Sequence, residues 1–306
     1  MIILALIITL GLMVIGANGL VNASIKLARR FRISEFVIGA LIVGVGTSFP
    51  ELAVSVYGAI QGNSDVAIGN VVGSNIFNVL GILGITSLVY PIAVKPKTIR
   101  TDLGFMFLST LLLPILIFNI TPNILTRWEG IILLIFMGLY IFLSYKYGKN
   151  NTPTEDIIED NTPIYSLILQ IIGGLMLLVL SASSFVDSAV LLAQNLGMSE
   201  AFISLTIIAC GTSLPELMAS LMAAIKKNSN IALGNIVGSN IFNILGILGV
   251  ATQIKPLTSG GITLFDYQSM VISALALILI VYTNKIPRWI GVLFLISFIC
   301  YTYQIA

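Results

Sequence analysis

GVGTSFPELAVSVYGAIQGNSDVAIGNVVGSNIFNVLGILG (residues 44–84) and ACGTSLPELMASLMAAIKKNSNIALGNIVGSNIFNILGILG (residues 209–249) align without a gap, and 26 of the 41 positions are identical. The matches include polar residues that a merely apolar bias would not repeat: Thr47 with Thr212, Ser48 with Ser213, and Asn78 with Asn243. The chain therefore carries an internal duplication. Each copy sets a glutamate, Glu51 or Glu216, directly after a proline inside a long apolar run. Such a charge is expensive in an apolar medium, and the chain bears that cost twice.

Composition identifies the medium. Hydrophobic residues make up 57% of the 306 positions and charged residues only 9%, where a soluble domain carries about 25% charge. The chain reads as an all-α integral membrane protein. Ten apolar segments, at roughly 2–24, 34–60, 65–90, 101–119, 126–145, 164–193, 199–225, 231–252, 265–283 and 289–305, are long enough to cross a bilayer as helices. The start, MIILALIITLGLMVIGANGL, has no basic leader and no clear cleavage site, so it reads as the first membrane helix. KYGKNNTPTEDIIEDNTP is the long polar linker. It divides the chain into a first five-helix repeat (1–145), a linker (146–163) and a second five-helix repeat (164–306).

Five crossings are an odd number, so the second copy enters the membrane the opposite way up. The charges agree. The odd-numbered connections hold Lys26, Arg29, Arg30 and Arg32; Lys95, Lys97 and Arg100; Lys146 and Lys149; Lys226 and Lys227; and Lys285 and Arg288. Only Arg127 and Lys255 fall in even ones. Basic residues mark the cytoplasmic side. The odd connections and the linker are expected there, with both termini outside. Inverted repeats are a signature of secondary transporters, whose sites lie at the midplane where the halves meet. On this reading Glu51 and Glu216 form one site, contributed once by each half.

The neighbouring residues supply its chemistry. Thr47, Ser48 and Glu51 stand at i, i+1 and i+4, which stacks Thr47 and Glu51 on one helical face, with Ser55 a turn further on. Pro50 cannot donate a backbone hydrogen bond and clashes with the preceding turn, so a kinked or broken helix with freed carbonyls near residues 44–46 is expected. Ser74 and Asn78 stand at i and i+4, and Gly69, Gly73, Gly81 and Gly84 permit close helix approach. The second half repeats the polar set as Thr212, Ser213, Glu216, Ser239 and Asn243. All these donors are hard oxygens. The chain has no histidine. Cys210 and Cys300 imply neither a disulfide framework nor a thiolate site. The set suits calcium, which takes about 6–8 oxygens, and it suits sodium; magnesium and manganese fit less well. Ser55 and Ser220 divide evenly between ligand and packing contact. Asn75 and Asn240, one position off the Ser–Asn face, read as helix–helix contacts. The run EDIIED (155–160) reads as a solvated loop.

With GTSxPE followed by GNxxGSNxxN in each half, the chain resembles the cation/calcium exchanger superfamily over essentially its whole length, in particular prokaryotic-type sodium/calcium exchangers. The proton-coupled branch usually shows GNxxE, whereas GNVVGSN and GNIVGSN lack that glutamate. The resemblance implies that Glu51 and Glu216 bind calcium and sodium alternately. It implies side-chain ligation by Thr47, Ser48, Ser74, Asn78, Thr212, Ser213, Ser239 and Asn243, and backbone ligation at Gly44 and Ala209. It further implies that the first and sixth helices slide across the rest. Some members carry an aspartate at one of the two asparagine positions. Neutral Asn78 and Asn243 argue against potassium co-transport and hold the site near two negative charges.

The expected activity is sodium/calcium antiport by alternating access. The alternative is a proton/calcium antiporter of the same fold. A cation channel would need a continuous path and weak multi-site binding. An enzyme is not expected, because no nucleophile–base set or cofactor motif appears. Expected partners are calcium and sodium ions and the lipid bilayer, with no cofactor, no nucleic acid and a monomeric state.

Overall fold

The computed structural model describes residues 2–120, 122–150, 162–198 and 209–305. The acidic run 155–160 and the start of the seventh apolar segment, 199–208, lie outside the described residues. Among the described residues the regular structure is helical, apart from two ribbons of two residues per strand. In order the elements are α1 (Ile2–Phe31), α2 (Glu35–Thr47), α3 (Phe49–Gln61), α4 (Ser64–Val89), β1 (Ile92–Ala93), α5 (Pro96–Ile115), β2 (Ile124–Leu125), α6 (Arg127–Asn150), α7 (Ile164–Asn195), α8 (Leu214–Ile225), α9 (Ser229–Ile254), β3 (Leu257–Thr258), α10 (Leu264–Val281), β4 (Lys285–Ile286) and α11 (Arg288–Ile305). A single turn, Ala209–Gly211, precedes α8.

Eight described helices are long and apolar enough to span a bilayer, and the bent pair α2–α3 makes a ninth; Leu214–Ile225 is apolar but shorter. The protein is thus a multi-pass membrane protein. Two helices occupy the centre. The most apolar stretch of Ser229–Ile254 is 94% buried within the protein, against 17% for Arg288–Ile305. The peripheral helices turn their outer faces to lipid, with Trp128, Tyr165, Trp289 and Tyr303 exposed near their ends, where aromatic side chains favour the interface. Helices α1 and α7 pack against each other. At 30 and 32 residues they run about 45–48 Å, well beyond the hydrocarbon thickness. A Cβ on Gly16 would sit 2.9 Å from the Gly174 carbonyl oxygen, and one on Gly174 would sit 2.9 Å from that of Gly16. Two glycines let these backbones touch.

Glycine also sets the central contact. A Cβ on Gly234 would lie 2.3 Å from the Phe36 carbonyl oxygen, and one on Gly238 would lie 2.3 Å from that of Ala40. Backbone therefore meets backbone where α2 crosses α9.

Contacts between connections sort by parity. Strand β1 pairs with β4, Ala93 opposite Lys285. Ser229 accepts from the Ala93 amide at 3.0 Å, Asn228 donates to Glu35 at 2.9 Å, and the Ser34 amide reaches the Gly148 carbonyl at 3.2 Å. All of these join odd-numbered connections. Strand β2 pairs with β3, Ile124 opposite Thr258, and Asp65 accepts from the amides of Gly260 and Gly261 at 3.1 and 2.8 Å. These join even ones.

Candidate ion-binding site

The proline motif breaks the helix in both halves, as expected, and it does so by starting a new one. Ser48 has φ −83° and ψ 10°, outside the helical range, and the axis turns by 46° between Glu35–Thr47 and Phe49–Gln61. Pro50 then stands in the first turn of α3, where its missing N–H costs nothing. Ser213 and Pro215 repeat the arrangement at φ −90° and ψ 9°. Glu51 and Glu216 consequently lie in first turns, where the positive end of the helix dipole faces a carboxylate.

The glutamates are bonded crosswise. Ser48 donates to Glu216 Oε1 at 2.7 Å, and Ser213 donates to Glu51 Oε1 at 2.7 Å. Ser213 Oγ also lies 3.2 Å from Ser74 Oγ. Glu51 is 0% and Glu216 1% exposed. In each the second oxygen, Oε2, is buried and has no hydrogen-bond partner.

The asparagines are also crossed. Asn78 Nδ2 donates to Asn240 Oδ1 at 3.1 Å, and Asn243 Nδ2 donates to Asn75 Oδ1 at 3.0 Å. Asn75 Nδ2 reaches the Asn240 carbonyl at 3.1 Å. Asn75 and Asn240 are thus the helix–helix contacts expected of them. With each amide nitrogen committed, Oδ1 of Asn78 and Oδ1 of Asn243 remain buried and without partners. Both residues stand at π-helical turns, Phe77–Ile82 and Phe242–Leu248, a local geometry that recurs at functional sites.

Direct bonds between the two halves join Ser48 to Glu216, Glu51 to Ser213 and Ser213 to Ser74, and tie Thr47 to Asn235 and Ser239 to the Gly44 carbonyl. Asn78 and Asn243 form a separate crossed set with Asn240 and Asn75. The Thr212 hydroxyl oxygen is buried, and among the described residues it makes no bond to the other half. The Gly44 carbonyl does not hang free. It accepts from the Ser48 amide at 3.2 Å and from Ser239 Oγ at 3.1 Å. Ala209 opens the turn that precedes α8. Ser55 and Ser220 are packing contacts: Ser55 donates to the Ala67 carbonyl and accepts from Asn70, and Ser220 accepts from Asn235.

Sequence reasoning passed over Asn70 and Asn235, the asparagines of GNVVG and GNIVG. Asn70 Nδ2 reaches the backbone carbonyl of Glu51 at 3.0 Å, and Asn235 Nδ2 that of Glu216 at 3.0 Å. Their only sequence signal was identity between the copies.

Buried acceptor oxygens without donors among the described residues, in matched pairs on the two halves, are groups that a hard cation can satisfy. A family model described as sodium/calcium exchanger protein matches residues 1–146 and 166–305. Sodium/calcium exchanger MaX1 of Methanosarcina acetivorans is 31% identical, covering 97% of this chain and 96% of its own. Inner membrane protein YrbG of Escherichia coli is 36% identical over 82% of this chain and 79% of its own. The solved structure of the sodium-calcium exchanger NCX_Mj soaked with 10 mM Na+ and zero Ca2+ superposes with a TM-score of 0.85 at 33% identity, covering 100% of both chains. The chain belongs to the sodium/calcium exchanger family.

Proposed function

We propose that this protein exchanges sodium for calcium across the membrane by alternating access at one central site, with Glu51, Glu216, Asn78 and Asn243 as its principal oxygen donors. One observation carries the reading: the Oε2 atoms of both glutamates and the Oδ1 atoms of both asparagines are buried acceptors without donors. Thr47, Ser48, Ser74, Thr212, Ser213 and Ser239 add hydroxyls; the Ala209 carbonyl adds to the set, and that of Gly44 joins it only by giving up the bonds it now accepts. Two carboxylates balance one calcium ion, which offsets the cost of burying them. Sodium, also a hard cation, competes for the same oxygens.

The architecture is ten membrane helices in two inverted five-helix repeats, 1–145 and 164–306, joined by the linker 146–163. The crosswise bonding of matched residues supports the pseudo-twofold. The segregation of contacts between odd and even connections supports ten crossings. Basic residues assign the odd connections to the cytoplasm and both termini to the outside. No described contact calls for a second copy, and the working unit is the monomer in its bilayer.

The test is calcium-45 uptake into proteoliposomes loaded with sodium, set against choline, potassium or a pH step. Uptake under an outward sodium gradient alone is the expected result. Uptake driven by the pH step alone would make the coupling ion a proton. Flux far above transporter rates with no counter-ion would indicate a channel.

A further inference from the structure

The two halves share the crossed glutamates but not the contacts around them. Asn235 Nδ2 donates to the Glu216 carbonyl at 3.0 Å and to Ser220 Oγ at 2.7 Å. A carbonyl can only accept, so the amide orientation is fixed. Its Oδ1 then accepts from Thr47 Oγ1, in the opposite half, at 3.2 Å. Ser239 adds a bond to the Gly44 carbonyl at 3.1 Å. Thr47, Asn235 and Ser239 are all 0% exposed. Helix α2 is thereby fastened to α9 at the end that leads to the odd-numbered connections.

The mirror position is different. Asn70 holds the Glu51 carbonyl at 3.0 Å and Ser55 Oγ at 2.9 Å, as Asn235 does for Glu216 and Ser220. Thr212 duplicates Thr47, yet among the described residues its hydroxyl makes no bond to Asn70. Ser74, the duplicate of Ser239, lies beside Ser213 Oγ instead. Asn70 is half-buried where Asn235 is sealed. Among the described residues, one fastening is made and its mirror image is open.

The geometry points to Asn235 and Asn70 as positioning residues that form an alternating latch. Each amide nitrogen keeps its own glutamate's backbone in place in both states. Each Oδ1 takes the opposite half's threonine in one state only: Thr47 on Asn235 while the odd side is sealed, Thr212 on Asn70 when the even side seals. An element with two arrangements, each closed by a hydrogen bond absent from the other, is what a population shift between access states requires. This rests on the alternating-access reading above, and the test separates the two.

In a Cys210→Ala/Cys300→Ala background, Ser239→Cys and Ser74→Cys serve as matched reporters, labelled by a small membrane-impermeant thiosulfonate in ion-free buffer. Without further change Ser74→Cys should label faster. Asn235→Leu should raise the labelling of Ser239→Cys by about tenfold, since it removes the made latch. Asn70→Leu should leave Ser74→Cys within about twofold, since there is no made latch to remove. An unchanged rate for Ser239→Cys in Asn235→Leu, or an equal rise of both reporters in both variants, would overturn the latch. Should the leucine variants fail to fold, Asn235→Ser and Asn70→Ser carry the same comparison. Latch-dependent labelling in a protein without sodium-driven calcium uptake would sink the ion assignment and keep the latch.

Discussion

Helix α9 and helix α4 present nearly the same letters to the opposite half, GNIVGSNIFN and GNVVGSNIFN, and meet different surroundings. The most apolar stretch of α9 is 94% buried and that of α4 72%. Gly234, Asn235 and Gly238 are sealed, whereas Gly69, Asn70 and Gly73 keep partial exposure. Duplication wrote the donors twice. The conformation then broke the symmetry, packing α9 more tightly than α4. The comparison teaches that ligand identity belongs to sequence and sidedness belongs to state.

The symmetric part of that comparison should break first under Glu51→Gln or Glu216→Gln. Each variant should fold, and each should lower sodium-driven calcium uptake by at least about a hundredfold, because a charged ligand is lost from a hard-cation site. Wild-type flux in either one would remove that glutamate from the site. The asymmetric part should show in glycine substitutions. Gly238→Ala drives a methyl against the Ala40 carbonyl, whereas a Cβ on Gly73 meets nothing within 4 Å among the described residues. Gly238→Ala should cost about 1–3 kcal/mol of stability and Gly73→Ala well under that, read as melting temperatures in detergent. Equal melting temperatures would mean that α2 does not press on α9.

Asn78→Ala and Asn243→Ala should weaken calcium binding by similar factors, about tenfold each, since each removes one unpartnered amide oxygen. A loss confined to one would show that the ion leans to one half. The smallest effects should come from the loop before each central helix. Gly62 and Lys227 occupy matched positions at φ 74° and 59°. This left-handed region costs a side chain about 1 kcal/mol, so Gly62→Ala should destabilise by that amount and Lys227→Gly should not, measured by thermal unfolding.

The repeat made most of this legible. Identical polar residues at a fixed offset pointed to the membrane helices, the exchanger family and the paired glutamates that the structure cross-bonds. Other features had no such signal. The ribbons β1–β4 and β2–β3 are two residues per strand, too short for an alternating pattern. The Gly44 carbonyl was expected to be freed by Pro50, but the proline begins a helix and the carbonyl stays bonded. Asn70 and Asn235 went unremarked because their bonds go to backbone carbonyls, which sequence does not display. Which of the two matched helices packs more tightly was not readable at all: the two motifs are the same, and only burial tells them apart.

The central claim is that two half-sites make one site. Calcium bound per chain at equilibrium, measured on purified protein with calcium-45 and competed with sodium, tests it directly. The account predicts one sodium-displaceable calcium per chain, lost entirely in Glu51→Gln and lost entirely in Glu216→Gln. Two calcium ions per chain, with one surviving in each variant, would show two independent sites and contradict it.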